Sequence, residues 1–503
     1  MKSLKEAYKD SFLMGNIYTP KVLENKALQQ MLKEQFNVLT SENIMKPALI
    51  QPKQGKFTFD AADDLMTYAK VFNFKVVGHT LVWHQQTLSW IDEANTSREE
   101  ALVLLRTHMT EIMTRYKGEI IAWDVLNEAI EDGVEEETKN WRKHLRSTPW
   151  LRMIGVDYIE HVFQIANELD PNAKLYYNDY NLNYEQKREA TYYMVKELKE
   201  LGIPIHGIGM QGHYHTNTPI STVADSLELF SRLENVEISI TELDVTVTGS
   251  EKSSRLSAEH ELIQAQYYAQ LFQIYKKYEK VIKRITFWGT DDQTSWRGDR
   301  FPTIFNQDYS PKKSFEAIVD PEGFLQAYPL IDRDSTQTAI ANYGTPELGN
   351  EETWLKFDPV PLVRQLTAWE GATAVAYAQW NEENLYLLTD VEGSKPHAND
   401  SIDIFIHSHQ LFKITITAEN KVDFNEKPEI SGFESIVLTT DHGYQIYAKL
   451  PLQVLSTAYV FGFDMQVNDA NEQGIRQSCA TWNSFTEPTL RKVEEFGNLQ
   501  FMK

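Results

Sequence analysis

The stretch IIAWDVLNEA (120–129) decides how the first part of the chain reads. It opens as a mostly apolar run, Ile120–Asn127, of the kind expected for a parallel strand covered on both faces. It then closes on Asn127 and Glu128. Just upstream, Thr96 with Glu99 fits a capping box, and Leu102, Leu105, Met109, Ile112 and Tyr116 follow at helical spacing before Gly118 stops the pattern. Seven comparable runs flank this one: Phe12–Ile17, Val38–Ser41, Lys75–Leu81, Lys174–Asp179, Gly207–His213, Glu237–Asp244 and Arg284–Trp288. Helical stretches such as Glu185–Leu201, closed by Gly202, lie between them. Eight strands alternating with helices predict an α/β chain whose residues 1–330 form a (β/α)8 TIM barrel. A doubly wound open sheet would need a Gly-rich phosphate loop after its first strand, and Met14-Gly15-Asn16 is not one.

On such a barrel, chemistry sits at the C-terminal ends of the strands. The run ends carry Glu42, Asn43 and Lys46; His79, Trp83, His84 and Gln86; Asn127 and Glu128; Asn178 and Tyr180; Gln211 and His213; Glu242 and Asp244; and Trp288, with Trp296 beyond it. Only the first run lacks such an ending, a bias that core packing does not produce. Glu128 and Glu242 end the fourth and seventh strands and so face each other across the barrel mouth. A pair of carboxylates astride a cleft is what glycosidic cleavage needs, one to protonate the leaving oxygen and one to attack or to activate water. A separation of roughly 5–5.5 Å would mean retention of anomeric configuration, and roughly 6.5–9.5 Å inversion. The bland reading of each residue stands beside this one. A lone Glu is usually only solvated and a lone Trp is usually core. His79, His84, His213 and His215 suggest a metal, but there is no HExxH and no set of cysteine ligands, so no catalytic metal is expected.

Composition narrows the partners. The chain has 503 residues, 42% apolar and 24% charged, enough for two domains. A formal net charge of -23 disfavours nucleic acid, and no run of apolar residues is long enough to cross a membrane. Cys479 is the single cysteine, so no internal disulfide forms. The N-terminus lacks the apolar core of a secretory signal, which points to the cytoplasm, or to secretion if a signal has been removed. Nothing in the sequence sets the oligomeric state.

The motifs ENIMK (42–46), GHTLVWHQQ (78–86), WDVLNEA (123–129), YNDYN (177–181), QGH (211–213), ITELD (240–244) and WG…SWR (288–297) resemble, in order and spacing, the family 10 glycoside hydrolases, the endo-β-1,4-xylanases. The resemblance covers residues 1 to about 325. It implies a retaining enzyme cutting xylan or xylo-oligosaccharides, with Glu128 as acid/base and Glu242 as nucleophile and no cofactor for catalysis. It implies that Asn127 bonds the sugar 2-hydroxyl, that His213 donates to Glu242 and that Asp244 orients His213. Glu42, Asn43, Lys46, His79, Trp83 and Gln86 would line the glycone side. Trp288 and Trp296 would wall the cleavage point, with Asn178, Tyr180 and Gln211 around it. Gln85, Thr87 and Leu88 depart from the family's usual residues after the WH pair, and the loop Glu131–Glu137 is acidic, which leaves polymer against oligomer open. A β-glucanase, an exo-acting glycosidase and a catalytically dead sugar-binding protein remain the alternatives.

From about residue 335 the texture changes. Trp354, Trp369 and Trp380 appear among short alternating runs, namely Leu385–Thr389, Ile402–Ile406, Phe412–Thr417, Tyr444–Leu450 and Tyr459–Gln466. They predict an antiparallel β-sandwich over 340–503, with the linker near Tyr328–Thr345. The pieces YGTPELGNEETW (343–354), WEGATAVAYAQWNEENLYLLTDV (369–391), NDSIDIFIHSH (399–409) and GFDMQVNDAN…WNS (462–484) resemble family 9 carbohydrate-binding modules. That implies sugar binding, in some members between two tryptophans, and structural calcium for which Asp390, Asp400 and Asp403 are candidates. Beyond Trp380 only Trp482 remains, and no convincing pair stands out.

Overall fold

The computed structural model describes residues 2–503 apart from 135–136, 217, 248–255, 257, 331–336, 367–370, 394–395, 409–410, 426–429, 453–459, 472, 485–487 and 489–492. The chain divides into two compact units, with the boundary after Leu330.

In the first unit, strands β1 (Leu13–Tyr18), β2 (Val38–Ser41), β3 (Lys75–Val82), β4 (Ile120–Asn127), β5 (Lys174–Asp179), β6 (Gly207–Met210), β7 (His213–His215), β8 (Glu237–Thr246) and β9 (Ile282–Phe287) form one parallel sheet. Pairing of β6 with β8 and of β1 with β9 closes it into an eight-stranded barrel. The strands are buried along nearly their whole length, which explains their continuous apolar composition. Amphipathic helices cover the outside. The helix Tyr158–Leu169, for example, buries Ile159, Val162, Phe163 and Ala166 on one face.

Two local expectations shift. The sixth run is broken, because Gln211 and Gly212 leave the strand and Gly212 takes φ +84°. The short β7 that follows pairs only with β8, with His213 opposite Asp244. The capping box before helix Arg98–Arg115 is Ser97 with Glu100 rather than Thr96 with Glu99. Both pairs satisfy the same spacing, and Thr96 is instead turned back on the carbonyl of Asp92 at 2.6 Å.

The second unit has its own apolar core, which includes Trp380, Leu385, Ile404, Met465 and Trp482. Its strands include Asn384–Glu392, Ser401–His407, Leu411–Thr417, Gly443–Pro451 and Val460–Ala470, and they join into a mostly antiparallel sheet curled around that core. It is not antiparallel throughout. Thr338–Tyr343 pairs parallel with both Thr373–Trp380 and Gly497–Met502. That strand falls inside the segment expected to be linker, since its alanines and asparagine give it little apolar signal. Trp354, Trp380 and Trp482 are all buried, and Trp380 stacks on Phe501 with centroids 4.7 Å apart. They fill the core and offer no sugar platform; Trp369 and Tyr459 lie outside the described residues. Asp390 bonds His442 at 3.1 Å, Asp400 accepts the N–H groups of His397 and Ala470, and Asp403 pairs with Lys413 at 3.2 Å. Each of these three carboxylates thus bonds donors of the protein itself.

Candidate active site

The C-terminal ends of β4, β5, β6 and β8 bring Asn127, Glu128, Asn178, Gln211 and Glu242 into one hydrogen-bonded cluster. The register Asn127 opposite Asn178 sets it up. The Asn178 amide nitrogen donates to Asn127 Oδ1 and to Glu242 Oε1, both at 2.8 Å. Thr241 donates to Asn178 Oδ1 at 2.5 Å and so fixes which way that amide faces. Gly209, on the neighbouring strand, leaves the space, because a Cβ there would stand 2.3 Å from Asn178 Oδ1. The Glu242 N–H donates to the Gln211 carbonyl at 2.7 Å, and the Gln211 side chain donates to Glu128 Oε1 at 2.9 Å. The kink at Gly212 thus lets Gln211 hold both glutamates.

The two carboxyl groups differ in surroundings. Glu128 meets neutral donors: Trp83 Nε1 on Oε2 at 2.7 Å, and Asn127 and Gln211 on Oε1 at 3.1 and 2.9 Å. His84 lies 3.7 Å from Oε2, and burial followed by the charges of Arg146 and Lys187 pushes its pKa down to about 3, so it is neutral there. Glu242 instead faces a charged donor. His213 Nε2 is 3.3 Å from Glu242 Oε2, and His213 Nδ1 is 3.0 Å from Asp244 Oδ2. Burial opposes the charge on His213, but the two carboxylates outweigh it and raise the pKa to about 9. Asp244 also accepts from Trp296 Nε1 at 3.0 Å and from Arg297 at 2.5 Å. Burial would raise the Asp244 carboxyl, yet His213 and Arg297 hold it below the usual carboxylate range.

Around this centre, Lys46 donates to Asn43 Oδ1 at 3.0 Å and lies over the Trp83 ring. Burial lowers the Lys46 pKa, offset by Glu242, Glu42 and Glu128; burial raises the pKa of Glu42, offset by Lys46 and Lys21. His79 bonds Asp124 at 3.0 Å and meets Trp288 edge to face. Trp296 packs edge to face on His213. Tyr180 donates to Asp132 and carries the Lys187 ammonium over its ring at 3.9 Å. Gln86 stands apart from these contacts, exposed, with its main-chain carbonyl taken by Ala48. His215 bonds Thr246 and lies 3.4 Å from Arg297. It faces this pair rather than the two glutamates. Asp124, Arg146, Tyr177, Lys187, Arg284 and Arg297 belong to the site's framework but were not expected from the sequence. Of these, Asp124, Tyr177 and Arg297 lie inside the motifs WDVLNEA, YNDYN and WG…SWR without a role having been read for them.

Comparison with known proteins follows this division. Residues 3–321 match a family described as glycosyl hydrolase family 10, and residues 349–503 one described as carbohydrate family 9 binding domain-like. An endo-1,4-β-xylanase A of Thermoanaerobacterium saccharolyticum is 34% identical over 99% of this chain and 43% of its own length. An exoglucanase of Acetivibrio thermocellus is 34% identical over 99% of this chain and 46% of its own length. The chain therefore spans less than half of these curated relatives. A β-1,4-xylanase of Dictyoglomus thermophilum is 40% identical over 63% of this chain and 90% of its own length. Among solved structures, an intracellular xylanase of Thermoanaerobacterium saccharolyticum is 39% identical, covers 63% of this chain and 98% of its own, and superposes with a TM-score of 0.58.

Proposed function

Because the chain belongs to glycosyl hydrolase family 10, we propose that it is an endo-1,4-β-xylanase that hydrolyses internal bonds of xylan or xylo-oligosaccharides by retaining double displacement. Names of relatives favour this substrate, and variants of the solved Thermoanaerobacterium saccharolyticum xylanase are described in complexes with xylotriose and xylotetraose. The observation that carries the mechanism is the unequal surroundings of two glutamates tied to one residue, Gln211. Glu242 accepts from the Asn178 amide and from protonated His213, which favours a carboxylate aimed to attack the anomeric carbon. Glu128 meets only neutral donors and takes the acid role, giving its proton to the leaving oxygen and then, as base, removing one from water. In this reading Asn127 bonds the 2-hydroxyl, a contact that tightens as positive charge grows on the ring. No cofactor takes part in these steps, and thorough chelation leaves the rate unchanged.

The test is kinetic. Glu128→Ala loses about 10²–10⁴-fold in kcat on xylan but far less on aryl xylobiosides with good leaving groups, and Glu242→Ala loses activity on both. Retained xylan hydrolysis in Glu242→Ala would remove the nucleophile assignment. Proton NMR of the first-formed product must show the β-anomer. The exoglucanase relative supplies a second reading, and rates on xylan against carboxymethylcellulose, with product profiles from xylotriose to xylohexaose, decide between them. If the second unit binds sugar chains, the surface involved is not built from Trp354, Trp380 or Trp482. In the cytoplasm the enzyme would meet imported oligosaccharides only; cell fractionation settles that reading.

A further inference from the structure

Glu128 sits on backbone that its residue type disfavours. Its φ is +56°, in the left-handed region that a glutamate occupies only when its surroundings hold it there. Every main-chain polar group from Glu128 to Ile130 is engaged. The Glu128 N–H donates to the Asn178 carbonyl at 2.8 Å, and the Ala129 carbonyl accepts the Arg146 N–H at 2.7 Å. Two side chains take the remaining four groups. The Tyr177 hydroxyl accepts the N–H groups of Ala129 and Ile130 at 3.2 and 3.1 Å. The Arg146 guanidinium donates to the carbonyls of Glu128 and Ile130 at 3.1 and 3.2 Å.

With both lone pairs accepting, the Tyr177 hydroxyl has one hydrogen left, and it donates this to Asp179 Oδ2. Asp179 Oδ1 in turn accepts from Lys187 and from the Tyr180 N–H at 2.9 and 2.8 Å. Tyr177 and Asp179 are fully buried. Phenylalanine would fill the same volume, so packing alone does not call for the oxygen.

We infer that Tyr177, aimed by Asp179, is a positioning residue that fixes the left-handed turn presenting Glu128. The inference rests on the reading of Glu128 as acid. Its consequence is that neighbouring residues of β5 place both carboxyl groups: Tyr177 holds the main chain directly after Glu128, and Asn178 holds the side chain of Glu242. Misplacement of Glu128 alone would then slow the two steps in which it moves a proton, protonation of the leaving oxygen and activation of water, and spare attack by Glu242 when the leaving group needs no proton.

The experiment compares the wild type, Tyr177→Phe and Glu128→Ala on xylotetraose and on 2,4-dinitrophenyl xylobioside, reading the pre-steady-state burst for the latter. Tyr177→Phe is expected to lose roughly 10- to 100-fold in kcat on xylotetraose and less than about threefold in the burst, with azide accelerating its turnover of the aryl substrate as it does for Glu128→Ala. Equal losses on both substrates, or no loss on either, beside a Glu128→Ala that does separate them, would overturn the positioning role alone. If Glu128→Ala fails to separate them, the acid assignment falls and this inference with it. Should Tyr177→Phe not yield folded protein by circular dichroism, Asp179→Asn, which keeps the volume and removes the carboxylate acceptor, is read by the same pattern.

Discussion

At the scale of single residues, His213 is the group whose charge state matters most outside the two glutamates. Its pKa stands at about 9 in the fold against an ordinary 6.5. A raised histidine pKa stabilises the fold fully below about pH 6.5, and that contribution fades as pH rises through about 9. The stability of the first unit should therefore decline between pH 7 and 9 by an amount on the order of 3 kcal/mol, measured as urea midpoints. His213→Gln should be less stable at pH 6 and show a flatter profile across that window; parallel profiles for the two proteins would remove His213 as the cause. The residues that motifs single out, Asn127, His213, Glu242 and Asp244, were legible because they stand at strand ends among chemistry-bearing neighbours. Tyr177 opens the YNDYN motif, but its role was not legible, because after Leu175-Tyr176 it reads as one more buried aromatic, and only the β4–β5 register reveals what its hydroxyl touches. Arg146 was hidden for a different reason: it lies 18 residues along the chain from the carbonyl it serves.

At the scale of elements, the barrel runs fall within about two residues of the observed strands except at the broken sixth, whereas in the second unit strands such as Thr373–Trp380, Glu434–Thr439 and Gly497–Met502 went unread; the differences in the barrel have local causes. Two overlapping capping boxes precede helix Arg98–Arg115, and spacing alone cannot rank them. The structure assigns the role to Ser97, whose hydroxyl accepts the Glu100 N–H at 3.3 Å while Glu100 accepts the Ser97 N–H at 2.8 Å. Ser97→Ala should cost about 1 kcal/mol in chemical denaturation, while Glu99→Ala should change little; the opposite order would return the cap to Thr96. The break after β6 was invisible because Gln211-Gly212-His213 continues a plausible strand on paper. Only Gly takes φ +84° there at little cost, and the resulting step moves His213 from the barrel wall to a place opposite Asp244.

At the scale of the whole molecule, the change of texture near residue 335 located the second unit, and the strand Thr338–Tyr343 narrows the linker that the sequence had placed there. Each unit closes around its own core. The Dictyoglomus thermophilum relative, matched over 90% of its length by 63% of this chain, indicates that a barrel of this kind needs no second unit. A chain ending at Leu330 should fold and keep its kcat on xylotetraose within about twofold; failure to fold, or a large loss with folding intact, would show that the units depend on each other. The distribution of tryptophans has an optical consequence. Trp123, Trp141, Trp150, Trp354, Trp380 and Trp482 are buried, whereas Trp296 is 48% exposed beside His213 and Asp244. Among the described tryptophans Trp288 is also buried and Trp83 and Trp90 are half-buried, so Trp296 is the most solvated indole, and its emission should shift to the blue if a sugar displaces solvent from it.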